Sequence, residues 1–184
     1  MVRRLLYFSI LMLTLNSCCY TGVKSNFGLP RKRIKALDGT HNSYMVLDTN
    51  ALYKSIVLFR YNNSLKEYSY YERMDSNRFP NVSYFKFYGN GKVSYFIFSK
   101  KDTSSLTRDD FNPSKAAMGY YQIDKVGKIK VRISTIRDCH SFISNMSGFL
   151  RGDSLVLEER TSSSTIYLKE KVSKGLLEKW TPDW

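Results

Sequence analysis

Residues 118–133 read MGYYQIDKVGKIKVRI, and this stretch decides the fold class of the chain. Its second half, residues 128–133, alternates strictly between cationic and branched apolar side chains. Side chains two positions apart on a strand point to the same side of a sheet, so Ile129, Val131 and Ile133 share one face. The alternation therefore predicts a strand with one buried face and one solvated face.

The same period of two recurs along the chain and predicts three β-hairpins. Residues 118–123 place Tyr121 and Ile123 on one side, and the turn at residues 124–127 joins them to the strand at 128–133. Asn90-Gly91 supplies the positive φ that a second tight turn requires. With the third hairpin and two further strands, the pattern predicts about eight strands, at residues 52–59, 84–88, 93–98, 118–123, 128–133, 142–150, 155–160 and 165–170.

Eight antiparallel strands joined mostly by tight turns predict an all-β domain over residues 46–184. An open sheet of that size leaves two unpaired edges, whereas a closed barrel removes them and can hold one small ligand. We therefore expect an eight-stranded antiparallel up-and-down barrel, with a meandering β-sandwich as the alternative.

Three local motifs follow one another along the chain: residues 85–93, then Asn112-Pro113 ahead of residues 119–123, then residues 127–129. This order resembles the small lipocalin-like domains of bacterial lipoproteins. It implies a lipocalin-like barrel, whose interior we expect to take up a small apolar or amphipathic ligand. The alternation assigns six residues to the inward, ligand-binding wall: Phe85, Phe87, Tyr121, Ile129, Val131 and Ile133.

The N-terminal sequence predicts a location outside the cytoplasm. Arg3 and Arg4 precede an apolar run at residues 5–15, which is too short to span about 30 Å of hydrocarbon and is typical of a secretory signal peptide over residues 1–17. The following Leu15-Asn16-Ser17-Cys18 resembles the lipobox of bacterial lipoproteins. The resemblance implies that Cys18 is lipidated, that the protein is anchored in the cell envelope, and that it faces the periplasm or exterior from the outer membrane.

The charge of the chain raises the question of its partners. Formal net charge is +13, and loss of Arg3 and Arg4 with the signal peptide leaves +13 − 2 = +11. Such a charge can indicate binding to nucleic acid. The predicted location in the cell envelope favours anionic lipid or glycan as the partner instead, because a positive surface attracts these polyanions in the same way. Residues 18–45 are predicted to be the lipid anchor and a mobile basic linker near the membrane. A solvated basic surface without a dedicated partner is the alternative.

No pattern of catalytic or metal-ligating residues stands out, so we expect no enzyme, no metal site and no cofactor. If Cys18 carries lipid, Cys19 and Cys139 are either a disulfide pair or two free thiols. His140 follows Cys139, but neighbours on an extended chain point to opposite faces and would not converge on a metal or substrate.

Two long connections, residues 62–81 and 100–113, interrupt the run of strands and are candidate functional loops, the first lid-like. Two functions remain open. The first is a tethered binding protein with its ligand inside the barrel. The alternative is an interaction module for envelope protein or glycan, with a filled barrel and no small-molecule ligand.

Overall fold

The computed structural model describes residues 22–31, 34, 37, 47–62, 67–74, 76–137, 140–159, 163–178 and 180–184. The predicted signal peptide, Cys18, Cys19 and Cys139 lie outside these residues. Within the described ranges no helix is long and apolar enough to cross a bilayer. The described strands are β1 (Leu52–Asn62), β2 (Glu67–Arg73), β3 (Asn81–Phe87), β4 (Lys92–Ser99), β5 (Ala117–Ile123), β6 (Lys128–Arg137), β7 (His140–Arg151), β8 (Ser154–Glu159) and β9 (Ser163–Glu170).

Eight of these strands form a closed antiparallel barrel. Strands β3 to β9 pair in sequence order, and β1 pairs with β9 on one side and with β3 on the other. The β1–β9 ladder runs from Leu52 opposite Glu170 to Arg60 opposite Ser163. This pairing closes the ring, so the predicted barrel is confirmed and the alternative of a β-sandwich is excluded.

Strand β2 lies outside the closed ring. It pairs with the second half of β1, from Val57 opposite Arg73 to Asn62 opposite Glu67. It takes up seven of the twenty residues of the first long connection, which is predicted to be lid-like. The second connection consists of three short 3-10 segments, Lys100–Ser105, Arg108–Phe111 and Pro113–Lys115.

The barrel interior is an apolar core, which we call the inner core. Its buried members are Leu47, Tyr53, Phe85, Phe87, Val93, Ala117, Tyr121, Ile123, Ile129, Val131, Ile133, Leu155, Leu157 and Tyr167. The alternation in β6 has the predicted phase, since Val131 is 1% exposed while Lys130 is exposed. Close approach of β7 and β8 requires glycine at Gly148, because a Cβ atom there would overlap the carbonyl oxygen of Val156.

A second apolar cluster covers the outer face of β3 and β4, and we call it the outer core. Tyr84 and Phe96 contribute from the strands, and Phe111 contributes from the second 3-10 segment. The rings of Tyr84 and Phe111 meet edge to face with centroids 6.2 Å apart. Residues 82–87 of β3 are consequently buried on both faces, which masks the alternation that marks the other strands.

Candidate functional site

The six residues predicted to line the ligand site all belong to the inner core. Phe85 and Phe87 come from β3, Tyr121 from β5, and the three aliphatic residues from β6. Tyr121 Oη donates a hydrogen bond to the backbone carbonyl of Tyr88 at 2.9 Å. The structure therefore brings the six side chains together inside the barrel.

Aromatic rings fill this part of the interior. The ring of Phe85 lies 4.8 Å from that of Tyr95 and 4.9 Å from that of Tyr167, centroid to centroid. The ring of Phe87 lies 5.0 Å from that of Tyr121 and 5.4 Å from that of Tyr53. These are ordinary contact separations for aromatic pairs. The rings pack against one another, so the six predicted residues act as core in this conformation.

The interior becomes more polar toward the end of the barrel where β8 terminates. Glu159 pairs with Met146 across β7 and β8, and its Oε1 accepts a hydrogen bond from Ser144 Oγ at 2.5 Å. Burial raises the pKa of Tyr95, and it raises the pKa of Tyr167 well above its ordinary value, so both phenols are neutral near pH 7. This polar layer lies beyond the predicted wall.

A cleft opens on the outer side of the barrel where β1 leaves β3. The two strands are paired only at Tyr53 opposite Phe85 and at Lys54 opposite Tyr84. Beyond these pairs the register of β1 shifts between Ser55 and Val57, so Ile56 is an extra residue, a β-bulge. The bulge bends β1 away from β3, and the seam below the cleft is held by the backbone N–H of Ser83, which donates to Ser55 Oγ at 3.0 Å.

The cleft has a volume of about 860 Å³ and combines apolar with charged side chains. We call it the seam cleft. The backbone N–H of Met74 donates to the carbonyl of Ile56 at 2.8 Å and holds the end of β2 beside the bulge. The lining residues are Lys54, Ser55, Ile56, Val57, Arg73, Met74, Val82, Lys100, Thr103, Leu168, Lys169 and Glu170.

Cationic residues outnumber acidic residues along the seam cleft. Lys54, Arg73, Lys100 and Lys169 are opposed there by Glu170 alone. Lys169 Nζ is bound to Asp153 at 2.5 Å, and Lys100 Nζ donates to the carbonyl of Ser76 at 2.5 Å. Even without Lys169, three cations line the cleft against one carboxylate.

Lys54, one of the lining residues of the seam cleft, lies beside Tyr84 of the outer core. Lys54 Nζ lies 5.9 Å from the centroid of the Tyr84 ring, within the range of a cation–π interaction. Burial, aided by the negative charge of Glu170, raises the pKa of Tyr84 to about 12. The phenol is therefore neutral at physiological pH, and Lys54 is the positive group beside it.

The sequence contained one signal for this site. Arg73, Met74, Lys100 and Thr103 lie at the borders of, or within, the two long connections that were predicted to be functional loops. Ile56 and Val57 gave no such signal, because a bulge inside an apolar strand is indistinguishable from the strand itself in the sequence.

Lys86 is the one lysine that the structure buries on the outer face of β3. Burial lowers the pKa of Lys86 to about 8, and Nζ donates to the carbonyl of Thr49. Among the described residues, no three histidine, cysteine, aspartate or glutamate side chains are grouped closely enough to hold a metal ion.

No protein-family model, no curated protein and no solved structure matches the chain.

Proposed function

We propose that the protein is a membrane-tethered, lipocalin-like binding protein of the bacterial cell envelope that holds a small amphipathic molecule in the seam cleft. The observation that carries this proposal is the cleft of about 860 Å³ beside a closed barrel. Ligand pockets in proteins commonly measure about 300–1,000 Å³ and combine apolar walls with a few polar groups.

The lining supports a ligand with two chemical parts. Ile56, Val57 and Met74 offer an apolar surface on which a hydrocarbon segment gains from leaving water. The cationic residues Lys54 and Lys100 suit a carboxylate or phosphate head, because hydrogen bonds between ionised groups are stronger than neutral ones. An anionic amphiphile satisfies both parts at once.

The tether is proposed from the N-terminal sequence. The signal-like residues 1–17 and the lipobox-like Leu15-Asn16-Ser17-Cys18 support lipidation at Cys18 and residence at the outer membrane. A single acyl chain anchors weakly, and a basic segment supplies the second signal that stable anchoring needs. The charges of Lys24, Lys32, Arg33 and Lys35 support that role.

Uptake into the barrel itself is the competing function. The polar layer at Ser144 and Glu159 favours it, since a ligand entering from that end would meet hydrogen-bonding groups. The ring contacts around Phe85 and Phe87 count against it, because a ligand at the predicted wall would have to displace side chains that already touch. An interaction module for envelope protein or glycan is the other competitor.

The test is the titration of a fluorescent anionic amphiphile into the chain from residue 18 onward, with Cys18→Ser to prevent lipidation. Met74→Asp and Lys54→Met should each raise the Kd more than tenfold, because one places charge on the apolar floor and the other removes the cation beside Tyr84. Lys128→Met is the matched control for loss of one exposed lysine and should leave the Kd unchanged.

The outcomes separate the three functions. If Phe87→Leu changes the Kd and the cleft variants do not, the ligand binds inside the barrel and not in the seam cleft. Absence of probe binding, together with salt-sensitive binding of an anionic glycan, would replace the proposal with the interaction module. Salt weakens attraction between exposed charges, and at 0.1 M it screens charges that are more than about 10 Å apart.

A further inference from the structure

The described segment ahead of the barrel forms a closed turn at residues 23–31, which we call the N-terminal turn. Lys24 pairs with Pro30 in a β-bridge, and the backbone N–H of Arg31 donates to the carbonyl of Val23 at 2.7 Å. The chain reverses at Gly28, where φ is +78° and glycine is favoured. These bonds give residues 23–31 a defined shape.

Arg31 clamps the N-terminal turn to the segment just ahead of β5 and to the C-terminus. The Arg31 side chain is 6% exposed and forms an ion pair with Asp183 at 3.1 Å. Its guanidinium also donates to the carbonyls of Pro113 and Ala116, at 3.1 Å and 3.2 Å. These contacts join the N-terminal turn to the C-terminus and to the residues just ahead of β5.

The C-terminus completes this clamp. The Arg31 guanidinium lies 5.0 Å from the centroid of the Trp184 ring, and Trp184 Nε1 donates to the carbonyl of Gly119 at 3.2 Å. Both ends of the described chain are therefore fastened to the same face of the barrel.

The N-terminal turn presents apolar side chains to solvent. Val23 is 71% exposed and Phe27 is 55% exposed. Lys24 is exposed between them in sequence, and Lys115 Nζ lies 5.3 Å from the centroid of the Phe27 ring while also binding Asp109. An apolar pair flanked by lysines has the composition of surfaces that enter the headgroup region of anionic bilayers.

We propose that the N-terminal turn is a membrane-contact surface, in which Val23 and Phe27 enter the bilayer interface and Lys24 and Lys115 bind lipid phosphates. The proposal rests on the proposed lipid anchor for the position of the bilayer. Val23 follows Cys18 by five residues, so an extended chain of about 17 Å separates them at most, and the turn stays within reach of the headgroups. The Arg31 clamp then fixes which face of the barrel is turned toward the membrane.

The test uses flotation of the unlipidated chain from residue 18, carrying Cys18→Ser, with vesicles of phosphatidylglycerol or of phosphatidylcholine. Both core clusters and all nine strands lie between Leu47 and Leu177, so this chain retains everything that the barrel packing requires. We expect binding to phosphatidylglycerol vesicles and at least tenfold weaker binding to phosphatidylcholine.

Three variants locate the contact. Val23→Ser with Phe27→Ser should weaken binding to anionic vesicles at least fivefold, whereas Phe27→Trp should strengthen it, because tryptophan favours the bilayer interface. Val126→Ser, at an 87% exposed position in the β5–β6 turn, is the matched control and should bind like the parent chain.

Equal vesicle binding by the parent and the Val23/Phe27 double variant would overturn the membrane contact. Failure of all variants to bind either vesicle would overturn it as well. Titration of the anionic probe into the same variants distinguishes this failure from failure of the seam cleft, since removing Val23 and Phe27 should leave probe affinity unchanged.

Discussion

Strand β1 is a wall of the inner core at Tyr53 and the floor of the seam cleft at Val57, four residues later. Tyr53 is buried between β3 and β9, with its ring against that of Phe87. Val57 pairs with β9 and β2 and is only partly buried. The bulge at Ile56 separates the two environments. One additional residue therefore separates the part of β1 that packs into the barrel from the part that borders the seam cleft.

The largest expected effect concerns the inner core. Val131→Asp places an unpaired carboxylate in the barrel interior and should cost several kcal/mol, enough to unfold a domain of ordinary stability. Lys130→Asp, on the solvated face of β6, should be nearly silent. Thermal unfolding followed by circular dichroism measures both. Similar melting temperatures for the two variants would contradict the assignment of these residues to opposite faces.

Removal of the bulge tests the boundary between the two halves of β1. Deletion of Ile56 makes the alternation between Ser55 and Val57 continuous and should let β1 run closer to β3, which narrows the seam cleft. We expect a loss of about 2 kcal/mol or less in the free energy of unfolding, because the inner core keeps its side chains. Affinity for the anionic probe should fall more than tenfold. Unchanged affinity would show that the bulge does not shape the binding site.

The smallest effect is a pH dependence on the outer face of β3. The pKa of Lys86 is about 8 in the folded protein and is ordinarily near 10.5, so the unfolded chain binds more protons between these values. The free energy of unfolding should therefore rise between pH 8 and 9.5, by on the order of 1 kcal/mol. Lys86→Met should abolish the rise, as measured by urea denaturation at each pH.

Above pH 10 the free energy of unfolding should fall in both the parent protein and Lys86→Met. The pKa values of Tyr84 and Tyr88 are raised to about 12 by burial, so the unfolded chain loses these protons first and stability falls. If the free energy of unfolding still rises between pH 8 and 9.5 in Lys86→Met, a group other than Lys86 causes the rise.

Much of the barrel was predictable because alternation is a local property. The spacing of Ile129 and Val131 predicted the buried face of β6, and Asn90-Gly91 predicted the turn of the β3–β4 hairpin. Burial was not predictable where residues distant in the sequence pack on the outer face of a strand. Lys86 has the sequence position of an outward residue on β3, yet it is buried, and its Nζ donates to the carbonyl of Thr49, which is 37 residues away in the sequence.

The candidate site was less predictable than the barrel. The six predicted residues were placed correctly in the interior, but whether they meet one another or a ligand depends on the diameter and filling of the ring. Phe85 contacts Tyr167, a residue 82 positions away on a different hairpin, and no local pattern contains that contact.

The sequence by itself determined the strands, their turns and the inward face of most of them, because residues two apart share a side and Asn-Gly turns need no distant partner. Tertiary structure alone decided closure and the cleft. The ring closes where Leu52 meets Glu170, more than a hundred residues away, and the cleft exists because β1 bends at Ile56 while β3 stays with β4. Both depend on pairing between distant segments, and such pairing forms only when the whole barrel is assembled.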